Sequence, residues 1–234
     1  MELSLIQKIA VFALPVLFAI TLHEAAHGYV ARYFGDMTAA ALGRITLNPI
    51  KHIDLVGTIL VPLFILIASK LLVGGAILFG WAKPVPVNFG QLRRPKQDML
   101  WVAAAGPGVN LLMAILWGLI IQLGYALGSG WASAPLILMG AAGVFINVIL
   151  MALNLIPLPP LDGGRIAVSL LPVRQAIQFS RLEPYGLFIL LGLLITGVLG
   201  TILWPLIGFF IGVVAVLTGL DTAQLANLIQ LVLA

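Results

Sequence analysis

Five consecutive residues near the end of the first apolar stretch combine metal-binding and acid–base side chains: His23-Glu24-Ala25-Ala26-His27. In a helix, residues four apart lie one turn apart on the same face, so the two imidazoles can bind one metal ion. Imidazole ligands at this spacing suit zinc. The Glu24 carboxylate stands beside them, where it can take a proton from a metal-bound water and pass it to a leaving amine. The motif therefore indicates a hydrolytic zinc site.

The alternative is a chance match in which both histidines occupy satisfied core positions. The stretch around them is apolar for most of its length. Ionisable side chains at membrane depth are costly and usually functional. We therefore favour the metal site over the chance match.

The composition is that of an integral membrane protein. Of the 234 residues, 62% are hydrophobic and 9% are charged, and the mean hydropathy is +1.15. These values exclude an ordinary soluble domain. The first residues lack a basic segment and a cleavage site, so we expect the first apolar stretch to be retained as a spanning helix. The chain has no cysteine, which excludes disulfides and thiolate metal ligands.

The net charge of +4 and the isoelectric point near 9.7 are also found in nucleic-acid-binding proteins. Here, however, the basic residues fall singly between apolar segments, as the positive-inside rule predicts for membrane proteins. We therefore expect the lipid bilayer and no nucleic acid as a partner.

Apolar stretches that could cross a bilayer of about 30 Å occur at about residues 5–31, 55–69, 99–123, 134–156, 185–199 and 201–220. The second and the fifth are marginal in length. The pattern predicts an all-α fold, a polytopic membrane helix bundle of about six membrane segments.

Shorter elements are predicted between and after these stretches. Residues 43–49 alternate apolar and polar side chains and residues 80–88 contain two prolines, so both are predicted as short strands, the second confined to an edge. These two strands either pair with each other or flank a cleft. If segment 55–80 enters the membrane and returns, the strands and this segment together form a strand and re-entrant element near the site. Residues 172–184 resemble an interfacial helix. Residues 221–234 are predicted as an amphipathic surface helix.

A catalytic zinc site usually has three protein ligands, so one more is needed. Of the eight acidic residues, six flank apolar stretches where solvated charges are normal, and Glu24 is already assigned. This leaves Asp162, which follows a proline-rich segment and precedes Gly163 and Gly164. The alternative is that Asp162 only caps the helix that follows it.

These motifs together resemble the site-2 protease family, peptidase family M50, whose members are zinc metalloproteases that cut transmembrane segments within the bilayer. The resemblance rests on HEAAH, on the pattern N-x-x-P-x-P-x-L-D-G at residues 154–163, and on Gly106-Pro107-Gly108-Val109-Asn110. Residues 46–54 and 80–88 are similar to the short prokaryotic branch of that family. The similarity extends over residues 12 to about 170.

The resemblance implies that His23, His27 and Asp162 hold Zn²⁺, that Glu24 is the general base, and that Asn154 binds substrate backbone. We expect a single integral-membrane metalloprotease domain over residues 1–234, with a catalytic core at about 5–170 and C-terminal helices at about 185–220. The PDZ and CBS modules of other family branches have no counterpart in this sequence.

Other polar or small residues have simpler interpretations. His52, beside Lys51, is predicted to be a surface or headgroup contact. Asn110 either hydrogen-bonds a neighbouring helix or has a role at the site, and the sequence does not separate these. Gly208 and Gly212 form a G-x-x-x-G pattern that favours packing within the chain over a dimer interface.

Convergence of the ligands constrains the helix directions. His27 and Asp162 both lie near the ends of their apolar stretches, so stretches 5–31 and 134–156 must finish on the same side. Stretch 99–123 then runs the opposite way, and the chain between residues 33 and 97 crosses an even number of times. We therefore expect segment 55–80 to enter and return, with a tip near Lys70.

The charge distribution predicts which side this is. Segments 32–52, 83–96 and 165–181 hold ten of the twelve basic residues, and residues 124–133 hold none. By the positive-inside rule, the site opens toward the cytoplasm of a cell-membrane protein whose amino terminus lies outside.

The sequence thus predicts a zinc endopeptidase that hydrolyses a peptide bond in a transmembrane helix of another protein. Such a helix must unwind locally, and an edge strand near residues 80–88 is expected to hold it by strand addition. One alternative is a non-catalytic metal-binding transporter or scaffold, against which the presence of Glu24 argues. Another is a membrane-bound peptidase for soluble peptides.

Overall fold

The computed structural model describes residues 3–61, 63–65, 67 and 80–234. The α-helices of these ranges are α1 (Leu5–Tyr33), α2 (Thr38–Ala41), α3 (Pro95–Ala126), α4 (Ser133–Asn154), α5 (Asp162–Leu170), α6 (Val173–Ser180), α7 (Gly186–Ile195), α8 (Val198–Thr218) and α9 (Thr222–Leu233). Single 3₁₀ turns occur at Pro49–His52, Phe89–Gln91 and Glu183–Tyr185, and a π-helix at Leu55–Leu60.

Within the described residues, α1, α3, α4 and α8 are long and apolar enough to cross a membrane. The shorter α7 lies at the predicted stretch 185–199, and the predicted stretch 55–69 begins as the π-helix. The predicted tip at Lys70 and the return of that segment lie outside the described residues. The all-α membrane bundle predicted from the sequence is confirmed.

Helix α1 carries the HEAAH motif and has defined ends. A capping box starts it, in which Ser4 Oγ accepts a hydrogen bond from the Gln7 amide and Gln7 Oε1 accepts one from the Ser4 amide. Gly35 ends the helix at φ +110°, a conformation that glycine adopts without steric cost. The Arg93 amide donates to the Phe34 carbonyl at 3.0 Å. The chain therefore returns to the end of α1 before α3 begins, as the predicted helix directions require.

Helices α3 and α4 form the most extensive helix pair of the bundle. Their contact depends on small residues: a Cβ at Gly140 would meet Ile121, and a Cβ at Gly143 would meet the indole of Trp117. Apolar side chains gain little from leaving lipid, so close backbone approach and dispersion contacts drive such pairing. The pair forms a rigid wall behind the C-terminal half of α1.

The predictions for the shorter segments had mixed outcomes. Residues 172–184 contain helix α6, as predicted. Residues 221–234 form the predicted amphipathic surface helix, since α9 buries Leu225, Ile229 and Val232 against α4 and α8 while most of its other residues are exposed. The prediction that Gly208 and Gly212 pack closely within the chain was wrong, since a Cβ at either position would meet no heavy atom within 4 Å.

Neither predicted strand forms, since the described ranges contain no β-strand. Residues 44–48 and 80–88 run close together without a ladder of backbone hydrogen bonds. Instead, the Arg44 guanidinium donates to the carbonyls of Lys83 and Pro84 at 3.1 and 3.2 Å. Prolines at positions 84 and 86 lack the N–H groups that a ladder would use. Single backbone bonds hold the segment as well, from the Trp81 amide to the Gly57 carbonyl at 3.0 Å and from the Lys83 amide to the His52 carbonyl at 2.8 Å.

Three ionisable residues expected in contact with solvent or headgroups are buried: Asp36, His52 and Asp98. Asp36 accepts hydrogen bonds from two backbone amides, Asp98 accepts one from the Arg94 amide, and His52 Nε2 lies 3.0 Å from the Thr46 carbonyl oxygen. Backbone groups thus replace water around these side chains, which a sequence pattern does not show.

Candidate active site

His23, His27 and Asp162 come together at the C-terminal half of α1. The Nε2 atoms of the two histidines are 3.1 Å apart. Asp162 Oδ2 lies 3.2 Å from His23 Nε2, and its Oδ1 lies 3.4 Å from His27 Nε2. One ligand atom from each residue fits within 4.8 Å, and all three side chains are mostly buried. The three residues that the sequence singled out as metal ligands are therefore neighbours in space.

The loop after α4 carries Asp162 to this point. Asp162 is the first residue of α5, and Gly163 and Gly164 let the helix start against the loop backbone. A Cβ at Gly163 would collide with the carbonyls of Leu155 and Ile156, and a Cβ at Gly164 would collide with Pro159. No side-chain cap occurs at the start of α5, where the N-cap position is Leu161. The alternative of Asp162 as a capping residue is therefore wrong, and its carboxylate faces the histidines.

Helix α3 fixes which nitrogen of each imidazole carries a proton. His27 Nδ1 lies 2.7 Å from the carbonyl oxygen of Val102, and His23 Nδ1 lies 2.5 Å from Oδ1 of Asn110. Both partners are acceptors, so each Nδ1 carries a proton and each Nε2 is the nitrogen left for a metal ion. The two Nε2 atoms face each other and the carboxylate of Asp162.

This arrangement is what a metal cation requires. Two Nε2 atoms and two carboxylate oxygens converge over a few ångströms, and a positive charge among them, from a metal ion or from protons on Nε2, stabilises this cluster. The donor set of two imidazoles and one carboxylate is typical of catalytic zinc, which keeps a further position open. Hydrogen bonds from Nδ1 to a carbonyl or carboxamide are the usual supports of such ligands. The residues present thus fit a zinc ion.

Asp162 is in the protonation state that metal binding needs. Burial raises the pKa of its carboxyl, but the adjacent imidazoles of His23 and His27 outweigh this and lower the pKa to about 2. The group is therefore ionised at neutral pH, and a metal ligand must be deprotonated.

Gly106 keeps the space between the histidines open. A Cβ at this position would lie 2.5 Å from His27 Nε2 and 2.5 Å from His23 Cε1. Val102, Gly106 and Asn110 are spaced by four residues and share one face of α3. Val102 and Gly106 were not predicted to have a role of their own, although their spacing matches that of the two histidines.

Glu24 faces a different neighbour. Its Oε2 accepts a hydrogen bond of 2.7 Å from the backbone amide of Val85. One turn further along α1, a Cβ at Gly28 would meet Ile45 and Val85, so this face of the helix packs on the non-helical segments. The Val85 amide was not foreseen as a partner. Its bond orients the Glu24 carboxylate and leaves Oε1 for another proton donor.

Asn154, expected to bind substrate, is the last residue of α4. Its Nδ2 donates to the Leu150 carbonyl one turn earlier at 3.0 Å. Its Oδ1 accepts no hydrogen bond from the part of the chain that the structure describes. The side-chain N–H of Asn154 is thus hydrogen-bonded, and its side-chain oxygen is left for another donor at the helix end that leads to Asp162.

The close fit around Gly106 yields a prediction. Gly106→Ala should weaken metal affinity by at least about tenfold, because the new methyl group occupies the space between the two imidazoles. Gly108→Ala is the matched control on the same helix, since a Cβ there would meet nothing within 4 Å. The control should bind metal normally and be up to about 1 kcal/mol more stable. Elemental analysis and chelator competition measure the difference, and equal metal binding by both variants would contradict the proposed geometry.

Comparisons with known proteins point to zinc metalloproteases. The family model of peptidase family M50 matches residues 128–197, which include Asp162. The protein named "Putative zinc metalloprotease YwhC" of Bacillus subtilis (strain 168) is 38% identical over 197 residues, covering 83% of this chain and 84% of that protein. "Putative zinc metalloprotease Rip2" of Mycolicibacterium smegmatis is 29% identical over 208 residues, covering 86% of this chain and 74% of that protein. No solved structure matches the chain significantly. Because similarity to the Bacillus protein spans most of both chains, the chain belongs to peptidase family M50, the site-2 protease family.

Proposed function

We propose that this chain is a zinc endopeptidase that hydrolyses a peptide bond in the transmembrane segment of another membrane protein. The observation that carries the proposal is the convergence of two imidazole Nε2 atoms and the Asp162 carboxylate inside a bundle of membrane-length helices. In this proposal His23, His27 and Asp162 hold the zinc and Glu24 is the general base. The whole chain acts as one membrane domain, with its core at about residues 5–170.

The depth of the site supports a substrate within the bilayer. His27 lies six residues before the end of α1 at Tyr33, which corresponds to about 9 Å along the helix axis. The site is therefore inside the helical bundle near one membrane face. A peptide bond that reaches it must itself enter the bilayer region or be drawn there.

Each proposed catalytic side chain has a distinct task. Zinc, when bound, supplies Lewis-acid polarisation of the scissile carbonyl. Glu24 takes a proton from the attacking water while the water oxygen bonds to the carbonyl carbon. Glu24 then gives this proton to the amide nitrogen as the C–N bond breaks, so the products are a carboxylic acid and an amine.

Residues 83–88 are proposed to hold the unwound substrate. The Val85 amide is bound to Glu24 and the Asn88 amide to Asp36. The amide and carbonyl of Val87 make no hydrogen bond within the described part of the chain. They are left to pair with an extended substrate beside Glu24, although no strand exists before the substrate arrives.

Two alternatives differ in what they leave unexplained. A non-catalytic transporter or scaffold has no need for a carboxylate oriented next to the metal ligands. A peptidase for soluble peptides has no need for a site inside the bundle. Comparing cleavage of a membrane-embedded substrate with cleavage of its soluble flank separates the second alternative from the proposal.

Replacing the two acids should separate ligand from base. Asp162→Ala removes one of three protein ligands and should lose most of the zinc and all activity. Glu24→Gln keeps every ligand and should retain about one zinc per chain by elemental analysis. Its cleavage should slow by about 10²- to 10⁴-fold, because an amide cannot accept the water proton. Normal zinc content in Asp162→Ala would contradict the role of Asp162 as a ligand. A wild-type cleavage rate in Glu24→Gln would contradict the role of Glu24 as the base.

Asn154 should act on substrate and not on zinc. Asn154→Leu removes the donor and acceptor that could bind an extended backbone, so cleavage should fall while zinc content is unchanged. The measurements are cleavage of a membrane-embedded substrate and elemental analysis on the same preparation. Loss of zinc would instead place Asn154 among the groups that support the metal.

The proposed orientation can be tested because the chain has no cysteine. Cysteines introduced singly at the exposed positions Arg93 and Arg174 should react with an impermeant thiol reagent only from the cytoplasmic side. A cysteine at the exposed position Ser129, in the loop between α3 and α4, should react only from outside. Labelling of position 93 from outside would reverse the orientation of the site.

A further inference from the structure

Two asparagines, Asn110 on α3 and Asn147 on α4, are completely buried between the membrane helices. The proposed mechanism uses neither of them. A polar side chain at such a place is expensive unless it is fully hydrogen-bonded, and it is usually functional.

The two carboxamides form a directed chain of hydrogen bonds that ends at the metal site. Asn147 Nδ2 donates to the Gly143 carbonyl at 2.9 Å, and Asn147 Oδ1 accepts from Asn110 Nδ2 at 2.9 Å. Asn110 Nδ2 also donates to the Ala19 carbonyl of α1 at 3.3 Å. Asn110 Oδ1 then faces His23 Nδ1 at 2.5 Å.

These partners allow only one orientation of the Asn110 amide. A flipped amide would set its oxygen against two acceptors, the Ala19 carbonyl and Asn147 Oδ1. It would also set its NH₂ group against the protonated Nδ1 of His23. Because the Gly143 carbonyl fixes Asn147 in turn, the whole chain has one polarity, and it forces the His23 proton onto Nδ1.

We propose that Asn110, held by Asn147, is the positioning residue that fixes the tautomer and direction of His23 for metal binding. This inference rests on the proposed function, since it assigns His23 as a zinc ligand. His27 receives the same support from a backbone carbonyl, which no side-chain substitution removes. Asn110 is therefore the place where the support of the histidine pair can be changed by mutation.

The test measures zinc affinity and not activity, using the full chain in detergent and a chromophoric chelator as competitor. Asn110→Leu removes the acceptor for His23 and should weaken zinc binding by about 10- to 100-fold. Asn110→Asp keeps an acceptor oxygen toward His23 but loses both donated bonds. Its zinc affinity should stay within about threefold of wild type, while its thermal stability falls at least as far as that of Asn110→Leu.

Gln122→Leu is the control for loss of an inter-helix amide bond, at a partly buried position. On the same helix, Gln122 Nε2 donates to the Thr218 carbonyl of α8 at 3.1 Å, away from the metal ligands. This variant should lose stability and keep wild-type zinc affinity.

The outcomes separate positioning from simple helix packing. If Asn110→Leu and Asn110→Asp lose zinc affinity equally, or if neither loses it, the positioning role is overturned. If zinc affinity follows thermal stability through all three variants, including Gln122→Leu, the role is also overturned. Absence of zinc from the wild-type chain overturns the proposed function and this inference with it, whereas the other failures affect this inference alone.

Discussion

The structure depends on the antiparallel register between α1 and α3. His27 lies opposite Val102 and His23 lies opposite Asn110, so a spacing of four residues on α1 meets a spacing of eight on α3. The two histidines are about 6 Å apart along the axis of α1, whereas Val102 and Asn110 are about 12 Å apart along the axis of α3. The directions in which the two acceptor groups of α3 point account for this difference. Helix carbonyls point toward the C-terminus and side chains lean toward the N-terminus, so the Val102 carbonyl and the Asn110 side chain both reach toward the level of Gly106. A slip of either helix by one residue would leave both imidazoles without their acceptors.

The same register explains why function and folding share contacts in this protein. Lipid offers no hydrophobic advantage to helix pairing, so polar bonds between helices and close approach at small residues must hold the bundle. Both occur at the site: Asn110 bridges α1 and α4, and Gly106 lets α3 approach the histidines. The groups that orient the metal ligands therefore also join the three helices around them.

Sequence patterns predicted the parts of the protein that are local or carry their own chemistry. The spanning helices follow from apolar length, and His23, His27 and Asp162 follow from ligand spacing and elimination. The predicted strands at residues 43–49 and 80–88 do not form. Alternation of apolar and polar residues describes a single segment, whereas a strand needs a neighbouring segment to pair with, and two prolines in residues 80–88 lack the N–H groups for such pairing. The burial of His52 and the packing of α9 depend on tertiary neighbours that the pattern does not contain. The support of His23 by Asn110 required the relative register of two helices far apart in sequence, which no single stretch encodes.

The two faces of α1 place the proposed metal ligands and the proposed base against different neighbours. Adjacent residues on a helix point about 100° apart, so His23 and His27 face α3 while Glu24 and Gly28 face the non-helical segments around Ile45 and Val85. The proposed metal ligands are therefore oriented by α3, and the proposed base, Glu24, is oriented by a segment that bonds to it through one backbone N–H. Non-helical backbone at this depth is tolerated where protein groups satisfy it, and Glu24 is one of those groups. A substrate that pairs beside Val85 would therefore bind next to the segment that orients Glu24, while α3 orients the two histidines on the other face.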